Sequence, residues 1–257
     1  MTEDNFTASH TDTGLWRLTV YLSDHSLRAW LHIPAEPERE PRQLLDLSWP
    51  RSEDGLLQRI SNSIYDHPQI LDDYSASVVI EAPDTLLVPA SLLGEEADAE
   101  RIYAKVFSAR EEDVMTDEIG GREAALFTLT PGLKGFLQRT FPGARIECHL
   151  NRLKRIARSH GDGIRLFADL RDGMADLLAF DGQELLSAST QICKEWSDVA
   201  FHIINLMDIY ELRPENTSLL LAGNTEVATS IRNFFAEDLK EIGSFDGAGS
   251  LSWITHR

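Results

Sequence analysis

The sequence predicts an α/β protein made of two similar units, with a smaller α+β unit between them. The prediction rests on two stretches, residues 16–64 and 164–212, in which three short strands lead into one amphipathic helix. In each stretch, apolar residues first alternate with polar ones, as in a strand with one buried face, and then recur at three- and four-residue steps, as along a helix. Because the same order of elements occurs twice, the sequence indicates an internal structural duplication.

The first unit is predicted to contain three strands, a helix and a buried fourth strand. Ser23-Asp24-His25 forms the turn between the first two strands. Ser52, followed by the acidic Glu53 and Asp54, is the expected N-cap of the helix, which His67-Pro68 ends. The strands are predicted at residues 16–22, 27–33, 45–49 and 76–81, and the helix is marked by Leu56, Leu57, Ile60 and Ile64.

The middle of the chain has a different order of elements, strand, helix, strand, strand. Pro89 ends the first strand, and Gly120-Gly121 suits a tight hairpin turn between the last two. These elements are predicted at residues 85–88, 99–106, 114–119 and 124–129, and they are followed by a helix at 133–137, a strand at 144–148 and a helix at 150–157.

The second unit repeats the pattern of the first unit. Arg171-Asp172-Gly173 and Asp181-Gly182 are the expected turns of a three-stranded meander, and Arg213-Pro214 ends the long helix that covers it. The strands are predicted at residues 164–170, 174–180, 185–189, 218–223 and 242–245. The apolar side of the long helix comprises Trp196, Val199, Ala200, Ile203, Met207 and Tyr210, and a second helix is marked by Val227, Ala228, Ile231, Phe234 and Phe235.

Composition excludes several classes of partner. The 257 residues include 24 basic and 42 acidic side chains, for a net charge of -18, whereas nucleic acids and anionic membranes bind basic surfaces. Apolar runs are too short to span a membrane, the first residues do not resemble a signal peptide, and residues 251–257 are more typical of a strand than of an anchoring helix. A cytoplasmic protein is expected. Cys148 and Cys193 lack metal-binding spacing and are predicted to be buried free thiols.

Three stretches carry a resemblance to known proteins: the N-terminal meander, residues 74–81 with the following Leu87-Val88-Pro89, and residues 127–142. Through them, the chain resembles over nearly its whole length a bacterial family of unassigned function with an actin-like ATPase fold. The order of elements is also similar to the actin-like proteins of bacterial cell division and type IV pilus assembly. In those proteins, a strand-helix-strand-strand subdomain is inserted into the first ribonuclease-H-like domain and makes protein contacts.

The resemblance implies a division of the chain into two ribonuclease-H-like domains and an insertion. Residues 1–83 and 130–162 would form the first domain, residues 84–129 the inserted α+β subdomain, and residues 163–257 the second domain. The cleft between the two domains is the default ligand site.

Actin-like ATPases bind phosphates between two β-hairpins whose glycines let backbone N–H groups approach the anion, and strand-end carboxylates position Mg²⁺. The first hairpin here, Leu22-Ser23-Asp24-His25-Ser26, has no glycine. In the second hairpin, Asp169 takes the place of the acid, but Arg171 stands where a glycine is expected, and Gly173 comes two residues later. Both phosphate-binding hairpins are therefore predicted to be degraded.

The adenosine motif of such proteins ends an apolar strand with two glycines, of which only Gly223 is present here. A strand-to-helix turn with Asn224 or Thr225 as N-cap is the favoured interpretation of this segment. If a nucleotide does bind, the residues expected at its site are Asp24, Asp169, Asp172, Gly223 and Asn224.

Other candidate residues are better explained by structure than by chemistry. Glu147 falls where the fold often has a catalytic acid, yet the polar face of a strand would place a glutamate there anyway. His202 is expected to pack at the rim of the long helix, and His25 to be an exposed turn residue. The basic cluster Arg152, Lys154, Arg155 and Arg158 is expected to face solvent on the outer side of its helix.

The sequence therefore predicts a non-catalytic binding or scaffold protein on a degenerate actin-like ATPase fold. Its partner is expected to be another protein, and no cofactor, metal, nucleic acid or membrane is expected. One alternative is an active ATPase or phosphotransferase that binds ATP with Mg²⁺ in the cleft between the domains. The other is an assembly factor that acts through residues 84–129.

Overall fold

The computed structural model of the chain describes residues 13–36, 39–50, 55–94, 96–107, 114–119 and 122–245. The strands are β1 (Arg17–Leu22), β2 (Ser26–His32), β3 (Arg42–Ser48), β4 (Ser75–Ile80), β5 (Thr85–Pro89), β6 (Val114–Ile119), β7 (Glu123–Thr128), β8 (Arg145–Cys148), β9 (Ile164–Arg171), β10 (Met174–Asp181), β11 (Glu184–Ile192), β12 (Thr217–Gly223) and β13 (Glu241–Ser244). The α-helices are α1 (Leu56–Tyr65), α2 (Glu96–Tyr103), α3 (Leu133–Thr140), α4 (His149–Arg158), α5 (Trp196–Ile209) and α6 (Thr225–Phe235).

Two five-stranded sheets have the same topology. The first has the strand order β3-β2-β1-β4-β8 and the second has the order β11-β10-β9-β12-β13. In each sheet the first strand of the unit is antiparallel to the next strand and parallel to the strand that follows the helix, so β1 and β9 occupy equivalent central positions. The duplication predicted from the element order is therefore confirmed at the level of strand pairing.

The third sheet is smaller and has the order β5-β7-β6. Together with α2 it encloses its own small core, which includes Val88, Ala99, Tyr103 and Leu126. A buried carboxylate joins this sheet to the rest of the protein, because Asp117 of β6 accepts hydrogen bonds from the backbone N–H of Cys148 (2.8 Å) and the side-chain amide of Asn151 (3.0 Å). The boundaries of the domains at residues 83, 129 and 162 remain a prediction.

Helix α4 packs between the two large sheets. Its Leu150, Leu153 and Ala157 belong to the same hydrophobic core as Val20 of β1 and Phe180 of β10. The other face of the second sheet contributes to a separate core, which α5 and α6 cover. One helix therefore contributes to the packing of both sheets, and residues at its start lie close to both.

The structure corrects the predicted apolar side of α5. Val199, Ala200, Ile203 and Met207 are buried as expected, but Trp196 and Tyr210 at the two ends of the series are more than one-third exposed. The first and last turns of α5 lie beyond the part of the helix that packs on the core. Periodicity alone therefore overestimated the length of the buried stripe.

Some predicted features lie outside the described residues. These are the Ser52 N-cap, the Gly120-Gly121 turn and the final strand at 251–257. Both cysteines are free and buried, as predicted. Among the helices of the described segments, none combines the length and the apolar character required to cross a lipid bilayer.

Candidate functional site

The candidate acids lie at the ends of the central strands, in different surroundings. Asp24 is in the β1–β2 turn, where its carboxylate contacts Nδ1 of His25 at 2.6 Å, so His25 is half-buried rather than a freely exposed turn residue. Asp169 is buried within β9, whereas Asp172 is exposed in the β9–β10 turn. The structure thus places the three acids at the three expected positions but gives them three different degrees of burial.

Gly223 and Asn224 form the junction between β12 and α6. Gly223 has φ +83°, and a Cβ added to it would lie 2.0 Å from the carbonyl oxygen of Leu170. Asn224 is the N-cap of α6, and its side-chain oxygen accepts hydrogen bonds from the backbone N–H groups of Glu226 and Val227. The glycine is therefore required by close packing on neighbouring backbone and by its left-handed conformation.

A buried network of polar side chains joins the two large sheets. We call it the cleft network, and it consists of Tyr21, Glu81, His149, Arg171, Asp176 and Thr190. Arg171, the residue at the expected glycine position, forms ion pairs with Glu81 from the first unit and with Asp176 of β10, the latter at 2.7 Å. The guanidinium group of Arg171 thus links the two sheets directly.

Two hydroxyl groups extend the network, from the buried Tyr21 and the half-buried Thr190. The hydroxyl of Tyr21 donates to Glu81 at 2.7 Å, and the hydroxyl of Thr190 donates to Asp176 at 2.7 Å. His149, at the start of α4, lies 3.0 Å from Asp176 through Nε2 and 3.2 Å from the carbonyl oxygen of Ile80 through Nδ1. Because both ring nitrogens face acceptors, the geometry fits a doubly protonated imidazolium.

The charges of the network shift the pKa values of its members. Burial by itself would lower the pKa of His149, but the charge of Asp176 and its hydrogen bond raise this pKa to about 10. Burial would likewise raise the pKa of Asp176, but Arg171 and His149 lower it well below its ordinary range. Burial and the charge of Glu81 raise the pKa of Tyr21, so this phenol stays neutral and donates its proton. At neutral pH, therefore, the positively charged His149 and Arg171 both face the ionised Asp176.

The residues at these positions do not fit ATP with Mg²⁺. Where phosphates would approach bare backbone, Arg171 carries a side chain that is paired to Glu81 and Asp176. On the side where a Cβ would project, Gly223 packs on the backbone of Leu170, which accounts for the glycine without a ligand. Within the described residues, no group of three or more His, Cys, Asp or Glu side chains is arranged to hold a metal ion.

The prediction for the basic cluster on α4 is wrong in part. Arg155 and Arg158 are exposed, but Arg152 and Lys154 are buried, with 6% and 2% of their surface exposed. Arg152 and Arg155 both donate to Glu147 of β8, at 2.7 and 2.9 Å. Glu147 therefore has a structural role as the acceptor for these arginines. Helical spacing could not predict the burial of Arg152, because its partner Glu147 is on the neighbouring strand β8 and not on the helix.

The sequence did not predict the large exposed apolar surface on the second unit. We call it the α5–α6 surface, and it includes Phe201, Ile204, Ile209 and Phe234, each 48–64% exposed. A groove of about 460 Å³ runs along it, and its polar lining residues are the acids Asp208, Glu211 and Asp238. The signal in the sequence is that α5 has apolar residues on more than one side, which the assignment of a single buried stripe ignored.

Comparison with solved structures places the fold. A protein of unknown function with an actin-like ATPase fold from Bacteroides thetaiotaomicron VPI-5482 is 18% identical, with a TM-score of 0.78 and 91% of each chain covered. A chain of the PilM–PilN type IV pilus biogenesis complex is 13% identical, with a TM-score of 0.51, over 88% of this chain and 87% of that one. The ethanolamine utilization protein EutJ from Carboxydothermus hydrogenoformans is 9% identical, with a TM-score of 0.50, over 93% and 89%.

These similarities confirm the predicted actin-like ATPase fold and the resemblance to a protein of type IV pilus assembly. No curated protein matches the sequence significantly. The match to a family described as proteins of unknown function, DUF3822, extends over residues 9–237, which is most of the chain. The protein therefore belongs to the DUF3822 family and has an actin-like ATPase fold.

Proposed function

We propose that this protein is a non-catalytic binding protein in which the actin-like fold serves as a scaffold. The observation that supports this proposal is the ion pairing of Arg171 with Glu81 and Asp176 across the cleft. Nucleotide binding in the cleft would require Arg171 to leave the carboxylates of Glu81 and Asp176. Breaking a buried ion pair of this kind costs about 3–5 kcal/mol.

A thermal-shift titration tests this proposal. Purified protein is titrated with ATP, ADP and GTP, each with and without Mg²⁺. A ligand at about 100 times its dissociation constant adds about 2.7 kcal/mol to the free energy of unfolding, which is a visible change in Tm. We expect no Mg²⁺-dependent change. A Mg²⁺-dependent rise that Asp169→Ala abolishes would instead support the alternative, an ATPase or phosphotransferase that uses the cleft.

The partner proposed is another protein, bound at the α5–α6 surface. Ile204 and Phe234 line the groove, and Phe201 lies one helical turn before Ile204 on α5. Three large apolar side chains exposed by about half or more are unusual for one small area of a protein surface. The acids around the groove select the partner by charge, since the complementary ligand is an amphipathic helix with apolar side chains flanked by Lys or Arg. The related fold of PilM, a component of a complex with PilN, is consistent with a protein partner.

The inserted subdomain is the second candidate for the protein-binding surface. Among its described residues, Leu92 and Val106 are exposed large apolar side chains. The structure favours α5–α6 because its groove is larger, about 460 against about 270 Å³, and is lined by three acids, whereas the pocket of the inserted subdomain is lined by one, Glu118.

Site-specific photo-crosslinking distinguishes the two surfaces. A photoreactive amino acid is placed at Ile204 or at Leu92, which are matched in exposure at 48% and 53%. In cells that produce the protein naturally, we expect position 204 to form a discrete crosslinked product that Phe234→Lys abolishes, and position 92 to form none. A product from position 92 alone would transfer the role to the inserted subdomain.

A further inference from the structure

A second polar site lies on the first unit, at the opposite end of its parallel strands from the cleft network. It is a cavity of about 590 Å³ between the first sheet and the C-terminal half of α4. We call it the basic pocket, and its lining residues with polar or charged side chains are Arg17, Thr19, His32, Ser75, Ser77, Arg145, Glu147, Arg152, Arg155 and Ser159. None of the five nucleotide candidates lines it.

The pocket concentrates positive charge in a protein whose net charge is -18. Four guanidinium groups line it, from Arg17, Arg145, Arg152 and Arg155, together with one carboxylate, that of Glu147. Glu147 pairs with Arg145, Arg152 and Arg155, and Asp117 also pairs with Arg145. Arg17 donates to the neutral hydroxyl of Ser75 at 2.6 Å. In the lining of the pocket, guanidinium groups therefore outnumber carboxylates.

The electrostatics of Arg152 agree with this excess. Burial, with the nearby charge of Arg155, lowers the pKa of Arg152 to about 10 although Glu147 acts in the opposite direction. A bound anion would offset this cost. By contrast, Arg17, Arg145 and Arg155 are at least about half exposed, so they can receive a ligand without any change in the fold.

The walls of the pocket indicate what kind of anion fits. Guanidinium groups bind phosphate and carboxylate oxygens in pairs, and one hydroxyl of the hydrogen-bonded pair Thr19 and Ser77 can donate to a further oxygen. Pro34, Ala76 and Ile156 supply apolar wall, and the volume falls in the range of sites for small organic molecules, which is about 300–1,000 Å³. A bare inorganic ion would leave most of that space unused.

We propose that the basic pocket binds a small organic molecule with two negative charges on its oxygens, either a phosphate monoester or a dicarboxylate. The guanidinium groups of Arg17, Arg145 and Arg155 contact the oxyanion, and the apolar wall contacts the carbon skeleton. This role is independent of the cleft and of the α5–α6 surface, because the three sites share no lining residue.

The test uses two probes, glycerol 3-phosphate and succinate, in thermal-shift and calorimetric titrations at constant ionic strength. We expect at least one probe to bind in the millimolar range or tighter, and Arg17→Gln and Arg155→Gln each to weaken its affinity at least tenfold. Arg122→Gln removes an arginine that is 79% exposed on β7's turn, away from the pocket, and should leave the affinity unchanged. The probe that binds more tightly identifies the chemistry as phosphate or carboxylate.

Two results would overturn the proposal: no binding of either probe at 10 mM, or an equal loss of affinity in Arg122→Gln, which would indicate general charge screening. The same variants keep the nucleotide experiment interpretable. If ATP changes the Tm without Mg²⁺ and the change disappears in Arg17→Gln, then ATP binds in the basic pocket. If the change needs Mg²⁺ and survives in Arg17→Gln, then ATP binds in the cleft.

Discussion

Arg171 connects the two units of the molecule, because its guanidinium group pairs with Glu81 of the first unit and with Asp176 of the second. The sequence established that an arginine stands where phosphate-binding relatives are expected to have glycine, but it could not show where the guanidinium group points. In the structure it pairs with Glu81 and Asp176, and Asp176 in turn contacts His149 and Thr190. Arg171 is 90 residues from Glu81 along the chain, and Asp176 is 27 residues from His149, so no local pattern could have predicted these contacts.

The first prediction concerns the acid at the centre of the network. Asp176→Asn removes the negative charge that faces Arg171 and His149, and should lower the free energy of unfolding by about 3–5 kcal/mol, the usual cost of breaking a buried ion pair. Asp181→Asn is the matched control, since Asp181 is exposed at the end of the same strand and should change stability by less than about 0.5 kcal/mol. Urea denaturation of both variants measures the difference. Equal effects would show that the network contributes little.

The second prediction concerns the protonation of His149. Its pKa is raised from an ordinary value near 6.5 to about 10 in the folded protein, chiefly by Asp176 acting against the effect of burial. A raised folded-state pKa means that the contribution to stability is complete below pH 6.5 and is lost as the pH rises through about 10. Nitrogen-15 NMR of the imidazole ring should therefore show His149 doubly protonated from pH 6 to pH 9. A resonance that titrates near pH 6.5 would contradict the assignment.

At the scale of elements, the junction of β12 and α6 offers two explanations for Gly223, a structural role and a nucleotide-binding role. Gly223 is left-handed and packs on the backbone of Leu170, which also accepts a hydrogen bond from the backbone N–H of Asn224 at 2.9 Å. Asn224 then caps α6. Packing and capping together account for both residues without a ligand.

The third prediction follows from this packing. Gly182→Ala introduces a Cβ in a left-handed turn with no atom within 4 Å, so it should cost only the conformational penalty of about 1–2 kcal/mol. Gly223→Ala adds the same penalty and a collision with the Leu170 backbone, so its loss of stability should be clearly larger. Denaturation midpoints of the two variants measure the gap. If the losses are equal, the chain relaxes easily at Gly223 and the packing argument is wrong.

The elements themselves were largely predictable from the sequence, because their signals are local. Alternation predicted β1, β2, β9 and β10, and the apolar spacing of Ile60 and Ile64 predicted α1. The basic helix α4 was misinterpreted for a physical reason. Arg152 of α4 is buried because its guanidinium group donates hydrogen bonds to Glu147 of strand β8. Hydrophobic periodicity gives no signal for a polar contact of this kind. The exposed apolar residues of α5 were missed because a single buried side was assigned to the helix, and Phe201, Ile204 and Ile209 are not part of it.

At the scale of the whole molecule, the two sheets are joined by apolar packing around α4 and by the cleft network. Three carboxyl groups lie in the cleft, those of Glu81, Asp169 and Asp176, and Tyr21 donates a hydrogen bond to Glu81. Arg171 and His149 offset part of this negative charge. With a net charge of -18 around it, this region would repel a polyphosphate as soon as the arginine were removed.

The last prediction is that restoring the glycine does not restore nucleotide binding. Arg171→Gly gives the hairpin the residue type found in phosphate-binding relatives, but it leaves Glu81 and Asp176 buried without their main counter-charge. The variant should lose about 3–5 kcal/mol of stability, and ATP with Mg²⁺ should not raise its Tm. Arg171→Lys keeps a positive charge and should recover part of the loss, although a lysine cannot bridge two carboxylates with a planar fork. Thermal melts of the three proteins with and without Mg²⁺-ATP separate the possibilities. If the glycine variant instead gains Mg²⁺-dependent stabilisation, Arg171 blocks a cleft that is otherwise intact, and the protein is one substitution away from a nucleotide-binding scaffold.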